Sequence, residues 1–268
     1  MLQFAGLIFT DFSNVLKALL KYTEEADKRI YVQNKLGFKN GLPFVDIKDL
    51  VKSLDEKIDN YTFLSGTSYP NDILFLKAIC RNYNDCEYFE IGSWRGESIS
   101  NVAQVAKHCT SLSLSKQEIV ELFGNETMAS VLKLFSDGVS NVTHIEHNSM
   151  TFDFSSLNKK FDVIFVDGDH RYDAVKSDTA NAFKLLKDEN SVIIFHDCGI
   201  DSEDNRYEVI AGVLDGTPAD KRKNIYRVSN TLCAIYSSKE LKAMNKSNPQ
   251  VPDKVFSIDI KSQPYRVR

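Results

Sequence analysis

Phe161-Asp-Val-Ile-Phe-Val-Asp-Gly-Asp-His-Arg-Tyr-Asp-Ala-Val-Lys176 holds a strand, a polar turn and a helix start within one short stretch. Val163 to Val166 is a continuous apolar run rich in β-branched and aromatic residues, the composition of a strand covered on both faces of a parallel sheet. Asp167-Gly168-Asp169-His170 then ends the run. Ligands of open α/β sheets bind in the crevice beyond the carboxyl ends of the strands, where this cluster falls. The pattern recurs as Val192-Ile-Ile-Phe195 followed by His196-Asp197-Cys198. Asp and Gly after a strand are also ordinary turn formers. Two neighbouring strands that each end in a His and an Asp nevertheless bring imidazoles and carboxylates to one place, which points to a site.

A chain of 268 residues accommodates one large α/β domain with an accessory segment and a substantial core. Its 33 Lys and Arg against 37 Asp and Glu give a net charge of −4 with both signs dispersed. Neither nucleic acid nor an anionic membrane is therefore the expected partner, and Lys221-Arg222-Lys223 reads as a solvated loop. Cys80, Cys86, Cys109, Cys198 and Cys233 are scattered and show no C-x-x-C spacing. That usage predicts a reducing, cytoplasmic setting with neither disulfides nor a thiolate zinc site. The apolar opening Met1–Phe9 lacks a basic leader and is interrupted by Asp11, so it reads as a packing segment.

Up to about residue 70 the pattern is helical and irregular. Val15, Leu16, Leu19 and Leu20 repeat at helical spacing, as do Ile47, Leu50, Val51 and Leu54. A loop through Gly66 to Pro70 precedes a helix expected over 71–81. Tyr88-Phe-Glu-Ile-Gly-Ser-Trp-Arg-Gly-Glu-Ser98 then reads as a strand, a glycine turn and a helix start near Glu97, an arrangement that turns backbone N–H groups toward a ligand. The Gly92-x-x-x-Gly96 spacing differs from the Gly-x-Gly-x-x-Gly of dinucleotide folds and speaks against a nicotinamide oxidoreductase. Ser111–Ser115 is the expected second strand, and only serines stand where nucleotide-binding folds place an acid for the ribose. Strands are also expected over 142–146, 192–195, 225–228 and 232–236, the last two as an antiparallel closing pair.

Glu90-x-Gly92-Ser93-x-x-Gly96-x-Ser98, Asp167-Gly-Asp-His170 with Tyr172, and the strand ending His196-Asp197 together resemble the class I S-adenosylmethionine-dependent methyltransferases. The resemblance is to the branch holding macrocin-type and other small-molecule O-methyltransferases, and it spans residues 88–236. It implies an α/β fold, a Rossmann-like, doubly wound, mostly parallel sheet, to which the residue pattern adds an antiparallel closing strand and an N-terminal helical segment that the resemblance leaves unexplained. Residues 1–70 would be a helical cover or oligomerisation segment, 71–237 the methyltransferase domain and 238–268 an extended tail.

The same resemblance assigns Glu90, Gly92, Ser93, Gly96 and Ser98 to S-adenosylmethionine, Asn148 and Ser149 to its adenine side, and Asp167 to the cofactor's neighbourhood. It implies a divalent metal, magnesium, manganese or another, held by Asp167, His196 and Asp197. His196 replaces an oxygen ligand, and a mixed His and carboxylate set suits manganese, iron or zinc as well as magnesium. His170 falls where related enzymes carry a lysine base, and an imidazole titrates near about 6.5, suitably for that task. Asp167 and His170 are thus the expected catalytic pair. The implied reaction is O-methylation of a small-molecule hydroxyl by an enzyme of homodimeric habit. The alternative is a non-catalytic binding or scaffold protein of the same fold, which the missing ribose acid favours.

Overall fold

The computed structural model describes residues 12–244 and 250–265; the opening segment Met1–Phe9 lies outside them. A long helix α1 (Phe12–Asn34) is followed by a two-residue strand β1 (Phe44–Val45), helix α2 (Pro70–Cys80), strand β2 (Glu87–Ile91) and helix α3 (Glu97–Val102). Strand β3 (His108–Ser113), helices α4 (Lys116–Phe123) and α5 (Glu126–Ser130) and strand β4 (Val142–Glu146) come next. The chain continues through β5 (Val163–Val166), α6 (Tyr172–Lys184), β6 (Val192–Phe195), α7 (Tyr207–Gly216), β7 (Ile225–Val228) and β8 (Ala234–Tyr236).

The eight strands form one sheet in the order β1-β7-β8-β6-β5-β2-β3-β4. Pairings among β4, β3, β2, β5 and β6 are parallel, whereas β8 runs antiparallel to both β6 and β7. This is the doubly wound, Rossmann-like arrangement. From β2 the chain builds outward on one side through β3 and β4, and on the other through β5 and β6, so the order reverses between β2 and β5. That switch point opens a crevice at the strands' carboxyl ends.

Period-2 alternation sorts side chains between two cores. Phe89, Ile91, Ile164, Val166, Ile193 and Phe195 join α1, α6 and α7 on one face. Tyr88, Val163, Phe165, Val192 and Ile194 join α2 and α3 on the other. Every residue of β5 and β6 is buried, which is why both read as unbroken apolar runs. Fully burying each large side chain contributes about 1.5–3 kcal/mol.

The N-terminal segment departs from its helical reading. Beyond α1 it supplies β1, parallel to β7, and residues 47–54 make only one 3-10 turn, Ile47–Asp49. Ile47 donates its amide to Ser229 Oγ at 3.1 Å, and the Ser229 amide donates to the Val45 carbonyl. Anchoring to the end of β7 outweighs the helical spacing, because tertiary bonds override weak local propensity. Strand β3 also begins three residues earlier than expected. Its register with β2 pairs Glu87 with His108, and Ser115 is used instead as the N-cap of α4.

Helix α1 is fastened to α7 by polar contacts. The Glu25 carboxylate accepts the amides of Tyr207 and Glu208, the latter at 3.0 Å, and Tyr31 donates its hydroxyl to Asp215 at 2.8 Å. A carboxylate on the exposed amides of a helix N-terminus satisfies both hydrogen bonding and the helix dipole. Glu25→Ala is therefore expected to cost about 1 kcal/mol, seen as a fall of about 2–4 °C in Tm by calorimetry.

Candidate active site

The crevice is built on one close approach. Gly92, with φ +94°, follows β2 directly, and a Cβ at this position would collide with the backbone carbonyl of Asp167. Only a residue without a side chain lets the turn after β2 lie on the turn after β5. The amides of Gly92 and Asp167 continue the ladders, to Leu112 and Ile91, both at 2.9 Å. Gly96, φ +82°, permits a similar approach at the start of α3, where a Cβ would strike Ser136.

Asp167, His170, His196 and Asp197 converge beside this turn. His196 is buried, with Nδ1 3.0 Å from Asp167 Oδ1 and 3.6 Å from Asp197 Oδ2, and Nε2 3.1 Å from Asp72 Oδ2. His170 Nε2 lies 3.0 Å from Asp197 Oδ2, and Arg206 Nη1 stands 3.5 Å from the same oxygen. Burial alone would lower the His196 pKa, but the Asp167 charge, with the Asp197 and Asp72 carboxylates also beside the ring, raises it well above the ordinary imidazole value. Burial pushes Asp197 up, yet His196, His170 and Arg206 bring it down to about 2. Asp197 also adopts φ +53°, a left-handed conformation that Asp tolerates better than most residues and that is common at functional sites.

The donor set fits a divalent cation. Asp167, His196 and Asp197 each offer a ligand atom within 4.8 Å of the others. Nδ1 of His196 is buried and lacks an aligned hydrogen-bond partner among the described residues, despite its proximity to Asp167. An ion at that nitrogen would compete with a proton for the same carboxylate charge.

The glycine turn fits an adenosyl cofactor. The hydroxyls of Ser93 in the turn and Ser113 at the end of β3 are buried without a hydrogen-bond partner among the described residues. Buried polar groups are normally satisfied, so these two suit a ligand's polar atoms. Ser113 stands where the ribose acid is missing. Asn148 and Ser149 lie just beyond β4; the Asn148 amide donates to Glu118 Oε1 at 3.1 Å, and its side chain accepts from Met150 N at 2.9 Å. Glu118 also accepts from Ser115, so one carboxylate ties the ends of β3 and β4 together.

Glu90 and Ser98, also assigned to the cofactor by the resemblance, bond each other. Glu90 is fully buried beneath the turn, with its oxygens accepting from Tyr88 Oη at 2.6 Å and Ser98 Oγ at 2.7 Å. Glu90 and Ser98 thus support the start of α3 from below. Alternation along β2 puts Glu90 on the same sheet face as Tyr88, a placement legible only once the strand register is known.

The loop over the crevice runs from residue 61 into the connector expected through Gly66 to Pro70, a loop that could line a cleft but more often only connects. Residues 61–68 are pinned to the turn by Arg95 and Glu97: Thr67 Oγ1 donates to Glu97 Oε2 at 3.0 Å, Thr62 N to Glu97 Oε1 at 3.2 Å, and Arg95 to the Ser65 carbonyl at 3.1 Å. Ser68 Oγ reaches Asp167 Oδ2 at 3.3 Å. Paired Arg and Glu within a glycine turn, with Thr-rich sequence upstream, was the available signal, but such residues more often stand in solvent.

Residues 89–198, less than half of the chain, match the family model described as a methyltransferase domain. No curated protein matches the chain. Similar solved structures include an O-methyltransferase from Bacillus cereus in complex with SAH, 17% identical, covering 64% of this chain and 82% of that one at a TM-score of 0.45. An SAH-bound methyltransferase from Podospora anserina is 17% identical over 66% and 82% of the two chains, TM-score 0.44. The O-methyltransferase TomG from Streptomyces achromogenes, in complex with SAM, is 16% identical over 63% and 79%, TM-score 0.43.

Burial raises the Glu90 pKa to about 8, against the opposing hydrogen bonds from Tyr88 and Ser98. Between the ordinary carboxyl range and pH 8 the unfolded chain has released a proton that the folded chain keeps. Stability therefore falls as pH rises through that window. Glu90→Gln, which removes the titrating group, is expected to show a flatter decline of Tm between pH 5 and 8 than the wild type.

Proposed function

We propose that this chain transfers a methyl group from S-adenosylmethionine to the hydroxyl of a small molecule, with a divalent cation held by Asp167, His196 and Asp197. The observation that carries the reading is the convergence of two strand-end His and Asp clusters beside a glycine turn with unpartnered buried hydroxyls. When bound, the sulfonium donor supplies an activated methyl group and the cation a positive charge opposite a developing alkoxide.

The chain's own residues supply binding, orientation and proton handling. Gly92, Ser93, Gly96 and Ser113 form the donor's cradle, with Asn148 and Ser149 toward its adenine. His170, half-exposed at the mouth of the cluster, accepts the proton of the acceptor hydroxyl, and Asp197 at 3.0 Å orients its ring. Arg206 offsets some of the cluster's negative charge. The loop over 61–68 limits water access and forms a wall for the acceptor. Much of the acceleration comes from holding acceptor oxygen and donor methyl roughly 3–3.5 Å apart.

Labelled methyl transfer from S-adenosylmethionine to a panel of phenols and sugars, with and without chelator, tests this reading. His170→Ala is expected to lower kcat by about 10²–10⁴-fold, and unchanged turnover would remove it as the base. Asp167→Ala combined with Asp197→Ala is expected to abolish both metal binding and transfer; retained activity would leave the reaction without its metal. Calorimetry with S-adenosylmethionine separates the enzyme from a non-catalytic scaffold, for which no heat of binding is expected.

A further inference from the structure

We propose that Asp72 is a positioning residue of the metal centre: from α2 it holds a proton on Nε2 of His196, leaving Nδ1 to face the ion. The inference rests on the metal reading above and adds a residue outside the matched segment 89–198. Asp72 is fully buried. Its Oδ2 lies 3.1 Å from His196 Nε2 and accepts the Tyr69 amide at 2.9 Å, while Oδ1 accepts the Leu232 amide at 2.9 Å. Two backbone donors, one at the start of α2 and one in the turn before β8, fix the plane of the carboxylate.

An ionised carboxylate only accepts hydrogen bonds. The imidazole nitrogen facing it, Nε2, must therefore carry an N–H; the other also faces carboxylates, and an ion placed between them would take the place of its proton. That other nitrogen, Nδ1, faces Asp167 at 3.0 Å and Asp197 at 3.6 Å. Outer carboxylates of this kind fix the tautomer and raise the basicity of a ligating histidine. Asp72, His196 and Cys233 also lie close enough together to suggest a second cluster. Both Asp72 oxygens already accept backbone amides there, so that group is a structural knot behind the ligand.

The full chain is titrated with manganese(II) alone, followed by electron paramagnetic resonance, with pulsed measurements to detect coupling to an imidazole nitrogen. The wild type is expected to show that coupling and His196→Ala to lack it. Asp72→Asn is expected to bind manganese about 10–100-fold more weakly and to lose the coupling, while S-adenosylhomocysteine affinity, read by calorimetry, changes less than twofold. Wild-type manganese affinity with intact coupling in Asp72→Asn overturns the proposal. Manganese bound to the wild type without nitrogen coupling also overturns it but leaves the metal reading standing. No manganese binding at all removes the metal reading, and this proposal with it. Should Asp72→Asn fail to fold, nitrogen NMR of the zinc-loaded wild type locates the His196 proton directly. A proton on Nε2 supports the assignment, and one on Nδ1 overturns it.

Discussion

Gly92 rests against the backbone carbonyl of Asp167, and no side chain fits between them. That contact sets the distance between the turn after β2 and the turn after β5, the two strands flanking the reversal in sheet order. Because both turns leave the sheet at the same level, the glycine turn and the carboxylate cluster share one cleft. The parallel ladders below make the level rigid: Glu90 pairs with Phe165, and Ile91 with Val166. Two fully buried neighbouring strands leave little freedom for the turns to slip relative to each other.

The cleft concentrates charge that a core would reject. Asp72, Asp167 and Asp197 surround one imidazole, with Arg206 and His170 at the rim. Desolvating such groups is costly unless each is paired and hydrogen-bonded, and leaving one unpaired costs several kcal/mol. The arrangement is therefore strongly interdependent. The left-handed backbone at Asp197 adds local strain that the surrounding contacts must hold. A chain selected only for stability would have no use for such a cluster at a sheet edge.

The parallel part of the sheet was legible because fully buried parallel strands leave unbroken apolar runs. The bounds of β4, β5 and β6 coincide with the sequence reading. In the N-terminal region helix α1 was legible, but the stretch from β1 to residue 54 was not, for physical reasons. Two residues of β1 carry too little pattern to register, and the spacing of Ile47, Leu50, Val51 and Leu54 serves packing against helices without a helix of its own. Within the site, Asp167, His170, His196 and Asp197 were found because each follows a strand closely. Asp72 was not, since an acid in the first turn of a helix after a proline reads as a capping residue. It does cap Tyr69, and it meets His196 with the same oxygen. Glu90 carried the right motif, but motif reading does not say whether a side chain lines a cleft or supports it from beneath.

Helix α1 and strand β1 are made before the elements they pack on. Helix α1 packs on α7, with Tyr31 and its acceptor Asp215 separated by 184 positions, and β1 pairs with β7. Until synthesis has passed Val228, the inner side of α1 and the strand at 44–45 have no surface to cover. Contacts this distant in the chain form slowly and expose apolar segments meanwhile. Assembly must therefore finish backwards, with α1 and β1 closing over a sheet made after them.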